Sequence, residues 1–75
     1  MIGRGHRLSV ETKVKFLERH YIIAKPALIS NVRDYRIELI KLARKELGYS
    51  KNTTGCDILM TLERVFRWKY NVTAR

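Results

Sequence analysis

Apolar residues return at spacings of three and four along most of this chain, a rhythm that fits α-helices and little else. Val10, Val14, Leu17, Tyr21 and Ala24 are separated by four, three, four and three positions, which draws one stripe down a helix. Ser9 stands where an N-cap belongs, and Glu11 puts negative charge in the first turn, where it suits the helix dipole. Pro26 is expected to end the segment, because the residue before a proline is biased away from helical dihedrals.

A second helix is expected to open at Ser30 or Asn31, with Asp34 three residues after Asn31 as a short capping box. Val32, Leu39, Ile40, Leu42, Ala43 and Leu47 make its apolar face, and Gly48 is a natural stop. The polar connection Y-S-K-N-T-T-G follows at 49–55. A third helix is expected from Thr54, capped with Asp57 three residues on, or from the earlier Ser50; its core face is Ile58, Leu59, Leu62, Val65, Phe66 and Tyr70. The expected fold is all-α: a compact bundle of three helices. A basic arm is expected over 1–8, one helical domain over 9–70 and a frayed end over 71–75. Residues 21–29 carry a second expectation, an extended piece, which would need a partner strand from a dimer.

Seventy-five residues with 45% hydrophobic content suit one small domain. A core this small leaves room for pairing with a second copy. Cys56 is the sole cysteine, which rules out an internal disulfide and a cysteine-rich zinc site. The opening residues lead into no long apolar run, so a secretory signal is not expected. Residues 21–29 are far short of the ~20 apolar positions that a membrane span needs. The expected setting is cytoplasmic, a host cytoplasm if the source is viral.

Charge narrows the class of partner. Sixteen Lys and Arg against seven Asp and Glu leave +9, a field that draws polyanions, above all nucleic acid. Four consecutive stretches, 1–8, 9–25, 26–48 and 49–75, carry +2, +2, +2 and +3. With no polybasic run, any phosphate-binding face must be assembled by folding. Small stand-alone basic proteins occur among phage, plasmid and archaeal-virus regulators, an association that adds transcription regulation to the expectation.

Three constellations carry this reading. One candidate is a helix-turn-helix across Leu39 to Phe66, since Leu42-Ala43 followed by Leu47-Gly48-Tyr49-Ser50 superficially resembles the first helix and turn of bacterial regulators. The spacing from Ala43 to Gly48 is one residue longer than theirs, and a plain helical corner shows the same signature. In the functional version Lys51, Asn52, Thr53 and Thr54 lead into the groove. Arg4 and Arg7, set among glycines, form an arm suited to a minor groove or to phosphates. Trp68, with Arg64 and Met60 at successive helical turns, either stacks on a base, anchors a protein contact, or seals the core beneath Arg64.

The leading expectation is therefore a small regulatory nucleic-acid-binding protein, DNA ahead of RNA. Its candidate contacts are Arg4, Arg7, Lys13, Lys15, Arg44, Lys51, Asn52, Thr53, Arg64, Arg67 and Lys69. The rival is a protein–protein modulator that docks on an acidic surface of a larger machine, such as an RNA polymerase or a nuclease, through Tyr35, Tyr49, Met60 and Trp68. A membrane-active amphipath is weaker, because the apolar faces are needed for a core. Enzyme activity is not expected. His6 and His20 share no metal-binding spacing, Cys56 reads as a half-buried thiol, and no glycine-rich phosphate loop is present. No catalytic residue, metal or cofactor is assigned.

Overall fold

A computed structural model describes residues 9–71 and contains four α-helices and no strand among them. Helix α1 spans Val10–Arg19, α2 Tyr21–Leu28, α3 Arg33–Leu47 and α4 Gly55–Tyr70. The expected count of three helices is corrected to four, because the first apolar stripe is shared by two helices. The chain breaks at His20, whose dihedrals (φ −116°, ψ 34°) are not helical. The break leaves few backbone groups unmet. His20 N–H donates to the Phe16 carbonyl at 3.1 Å, and the His20 carbonyl accepts from Ile23 and Ala24 at 3.0 and 2.8 Å. The expected arm at 1–8, and residues 72–75 of the expected frayed end, lie outside the described residues.

Pro26 sits inside α2 instead of ending a helix. Proline removes the N–H that would bond the Ile22 carbonyl. Ala24, Ala27 and Leu28 are buried on the inner side of α2, and this packing carries the helix past the proline. The extended alternative for 21–29 is thereby excluded.

Other boundaries follow their local chemistry. The Ser9 hydroxyl accepts from Thr12 N–H at 3.2 Å, and Thr54 caps α4 by accepting from Asp57 N–H at 3.1 Å. Gly48 ends α3 in the left-handed region (φ 76°), which glycine enters without a Cβ penalty. The start of α3 is corrected: its cap is Val32, with no side-chain bond to the helix. Asn31 is instead the left-handed residue (φ 55°) of the corner between α2 and α3, one of the few residue types besides glycine that take this conformation readily.

One apolar core joins all four helices: Phe16 and Leu17 from α1, Ala24, Ala27 and Leu28 from α2, Leu39, Ala43 and Leu47 from α3, and Ile58, Leu59, Leu62, Val65 and Phe66 from α4. Phe16 is fully buried, although it falls outside the stripe read from the sequence. An aromatic cluster closes the α2–α4 side, where Phe66 lies 5.9 Å from Tyr21 and 4.7 Å from Tyr70, ring centre to ring centre.

The His20 side chain is largely covered. Its ring lies 4.8 Å from Phe16, and its Nε2 is 2.9 Å from Glu46 of α3. Arg19 donates to the same carboxylate at 2.9 Å, so Glu46 ties the α1–α2 break to α3. Those two bonds, Arg19 first, hold the Glu46 carboxyl below the ordinary glutamate value.

Candidate nucleic-acid interface

Folding sorts the cations into two groups. On α1 and α4 most are neutralised. Lys15 pairs with Glu11 at 4.0 Å and Lys69 with Glu18 at 3.1 Å. Arg67 donates to Glu63 through Nε and Nη2 at 2.9 and 2.7 Å. Lys15, Arg67 and Lys69 therefore meet a phosphate only by competing with a carboxylate already in place.

Helix α3 is different. Arg33, Arg36, Lys41, Arg44 and Lys45 form no ion pair among the described residues, and neither does Lys51 in the following loop. Arg33, Ile37, Lys41 and Arg44 recur at spacings of four, four and three. They run along one flank of α3 beside the face of buried Leu39, Ala43 and Leu47, with Arg44 half-buried, while exposed Asp34 and Glu38 stand on the side opposite the core. From Arg33 to Arg44 this stripe runs about 16 Å at 1.5 Å per residue. Arg44 also donates to the Ser50 carbonyl at 2.8 Å. That bond, with the Ser50 hydroxyl accepting from Asn52 N–H at 3.1 Å, holds Lys51, Asn52 and Thr53 against the end of the helix.

Arg33 and Lys41 were not among the residues singled out from sequence, although their spacing off the apolar face was the available signal. Arg4 and Arg7 fall outside the described residues. The helix-turn-helix candidate across Leu39 to Phe66 is corrected to a plain connection between helices. Seven residues, 48–54, separate α3 from α4, against the three or four of that motif. The short corner lies between α2 and α3, over 29–32.

The aromatic candidates part company. Tyr49 packs against the core, and its hydroxyl is buried with no hydrogen-bond partner; burial pushes its pKa up. Such a residue anchors its own domain. Tyr35 stands at the surface of α3, 42% exposed. Trp68 is 70% exposed and Met60 58%, so the expectation that Trp68 seals the core is overturned. Arg64 does not lie over the indole either. The cation–π contacts among the described residues are Arg19 on Phe16, Lys25 on Tyr21 and Lys69 on Tyr70. Beside Trp68, Lys13 and Arg64 form no ion pair among the described residues. Partial burial draws the Lys13 ammonium below the usual lysine value.

Cys56 is exposed, not half-buried. Among the described residues no cluster of three or more His, Cys, Asp or Glu is placed to hold a metal, and no helix is long and apolar enough to cross a membrane. Comparison with protein-family models, curated proteins and solved structures finds no match to this chain.

Proposed function

We propose that this chain is a nucleic-acid-binding protein of regulatory type, and that it takes duplex DNA along the Arg33–Arg44 flank of α3. The observation that carries the reading is the row Arg33–Lys41–Arg44 with Lys51 beside it, cations without carboxylate partners along one flank of one helix. The arrangement of α2, a four-residue corner and the longer α3 has the parts of a helix-turn-helix: a short first helix, a tight turn and a second helix free on its outer side. In this reading Arg33, Lys41, Arg44 and Lys51 contact phosphates, which supply affinity without sequence information. Ile37, apolar and exposed among these cations, offers a methyl-sized contact to thymine edges.

Phosphate contacts release counterions, so the salt dependence counts them, at about 0.9 in log–log slope per phosphate on B-form DNA. Four contacts give a slope of about −3.6, and the variant Arg33→Ala/Lys41→Ala/Arg44→Ala is left with about −0.9. Fluorescence anisotropy of a labelled duplex over a salt series measures both. A variant as salt-dependent as the parent removes the α3 assignment. No duplex binding by the parent at low salt removes the function, and leaves docking on an acidic protein surface as the reading to pursue.

A further inference from the structure

The first turn of α1 and the second half of α4 enclose an open groove of about 330 Å³, lined by Val10, Lys13, Thr61, Arg64, Val65 and Trp68. Its apolar lining comes from Val10, Val65 and the exposed Trp68, and its two charges, on Lys13 and Arg64, are both positive. A tryptophan left this open is unusual, because large aromatics are mostly buried, and exposed aromatic surface beside unpaired cations marks recognition.

Charge decides what fits. A second copy docked about a two-fold axis would set Lys13 and Arg64 against themselves. Residues 1–8, if placed there, would bring Arg4 and Arg7 against the same two cations. The occupant must carry negative charge. Size decides between the remaining classes. One turn of α1 facing two turns of α4 offers about 5 by 11 Å. The volume lies at the low end for small-molecule sites. That seats one ring and its charged group, whereas a docked helix needs anchors over two or more turns.

We propose that this groove holds one unpaired nucleotide of a single-stranded nucleic acid, its base stacked on Trp68 and its phosphate between Lys13 and Arg64. Every base has a π-face, so the site tolerates any sequence, and stacking of this kind contributes substantially to affinity. The inference shares with the α3 reading only the premise that the chain binds nucleic acid. The two surfaces lie on different helices and fail separately.

Trp68 is the only tryptophan, so its emission reports this groove alone. Titration with an oligothymidylate of about eight nucleotides is expected to quench that emission saturably. Lys13→Ala/Arg64→Ala weakens the quenching roughly tenfold or more. Trp68→Ala does the same to anisotropy of the labelled strand. Both variants keep the parent's circular dichroism, and Trp68→Ala, which changes no charge, keeps its duplex affinity, since the changes are confined to α1 and α4 outside the buried core. If the duplex binds and the oligothymidylate leaves Trp68 unquenched, the groove assignment is wrong and the α3 reading stands. If the emission instead responds only to a glutamate-rich peptide bearing one phenylalanine, the groove serves a protein partner and the inference is overturned. Single-strand binding that Trp68→Ala leaves intact overturns it equally.

Discussion

Phe66→Ala tests whether the four helices share one core. Phe66 is 1% exposed, and its ring stands within 6 Å of two others, 5.9 Å from Tyr21 of α2 and 4.7 Å from Tyr70 one turn along α4. Truncating a buried phenylalanine typically costs about 3–5 kcal/mol, the lost transfer energy plus the cavity left behind. Rings on the α2–α4 side can relax only partly, because Tyr21 also meets Tyr70 at 5.2 Å. A domain of this size has roughly 4–11 kcal/mol in total, at about 0.05–0.15 kcal/mol per residue. The change therefore removes a large share of the stability. Urea unfolding followed by far-ultraviolet circular dichroism measures it. Phe66→Leu, which keeps most of the volume, should lose under about 1.5 kcal/mol. Met60→Ala, on the exposed side of the same helix, should stay within about 0.5 kcal/mol of the parent. A Phe66→Ala loss no larger than that of Met60→Ala would refute the packing described.

Two further substitutions probe polar groups. The Glu46 carboxyl is held below its ordinary value by Arg19 and then His20, so its contribution is fully present above the ordinary glutamate range. It is lost as pH falls through that range toward the folded-state value. Glu46→Gln should flatten the acid limb of the thermal-midpoint profile, and an unchanged acid limb would count against the clamp. Tyr49→Phe removes a buried hydroxyl that has no partner, so stability should be unchanged or rise by up to about 1 kcal/mol. Burial raises the Tyr49 pKa, so the parent should also lose stability as pH climbs past the ordinary tyrosine range, and Tyr49→Phe should lose less there; equal loss would contradict it.

Helix ends were legible wherever a side chain or a glycine does the capping: Ser9, Gly48 and Thr54 all act as their chemistry requires. The α4 core face was legible too, because its apolar residues recur without interruption. The break at His20 was hidden by its own sequence, since the stripe from Val10 to Ala24 stays in phase across it while the backbone does not. Pro26 misled for a related reason. The local bias against helix before proline is real, but burial of Ala24, Ala27 and Leu28 outweighs it. The charge stripe on α3 was written in the spacing of Arg33, Lys41 and Arg44. What the spacing did not reveal is which cations find carboxylates. Lys69 meets Glu18 across two helices, a pairing that exists only after folding.

The central claim is that α3 is the surface that meets nucleic acid. Backbone amide chemical shifts recorded during titration with duplex DNA test it residue by residue. The account predicts that the largest changes fall along Arg33, Ile37, Lys41 and Arg44 and on the loop at 50–53, while Glu18, Glu63 and their partners stay nearly unmoved. Shifts confined to α1 and α4, with α3 silent, would contradict it.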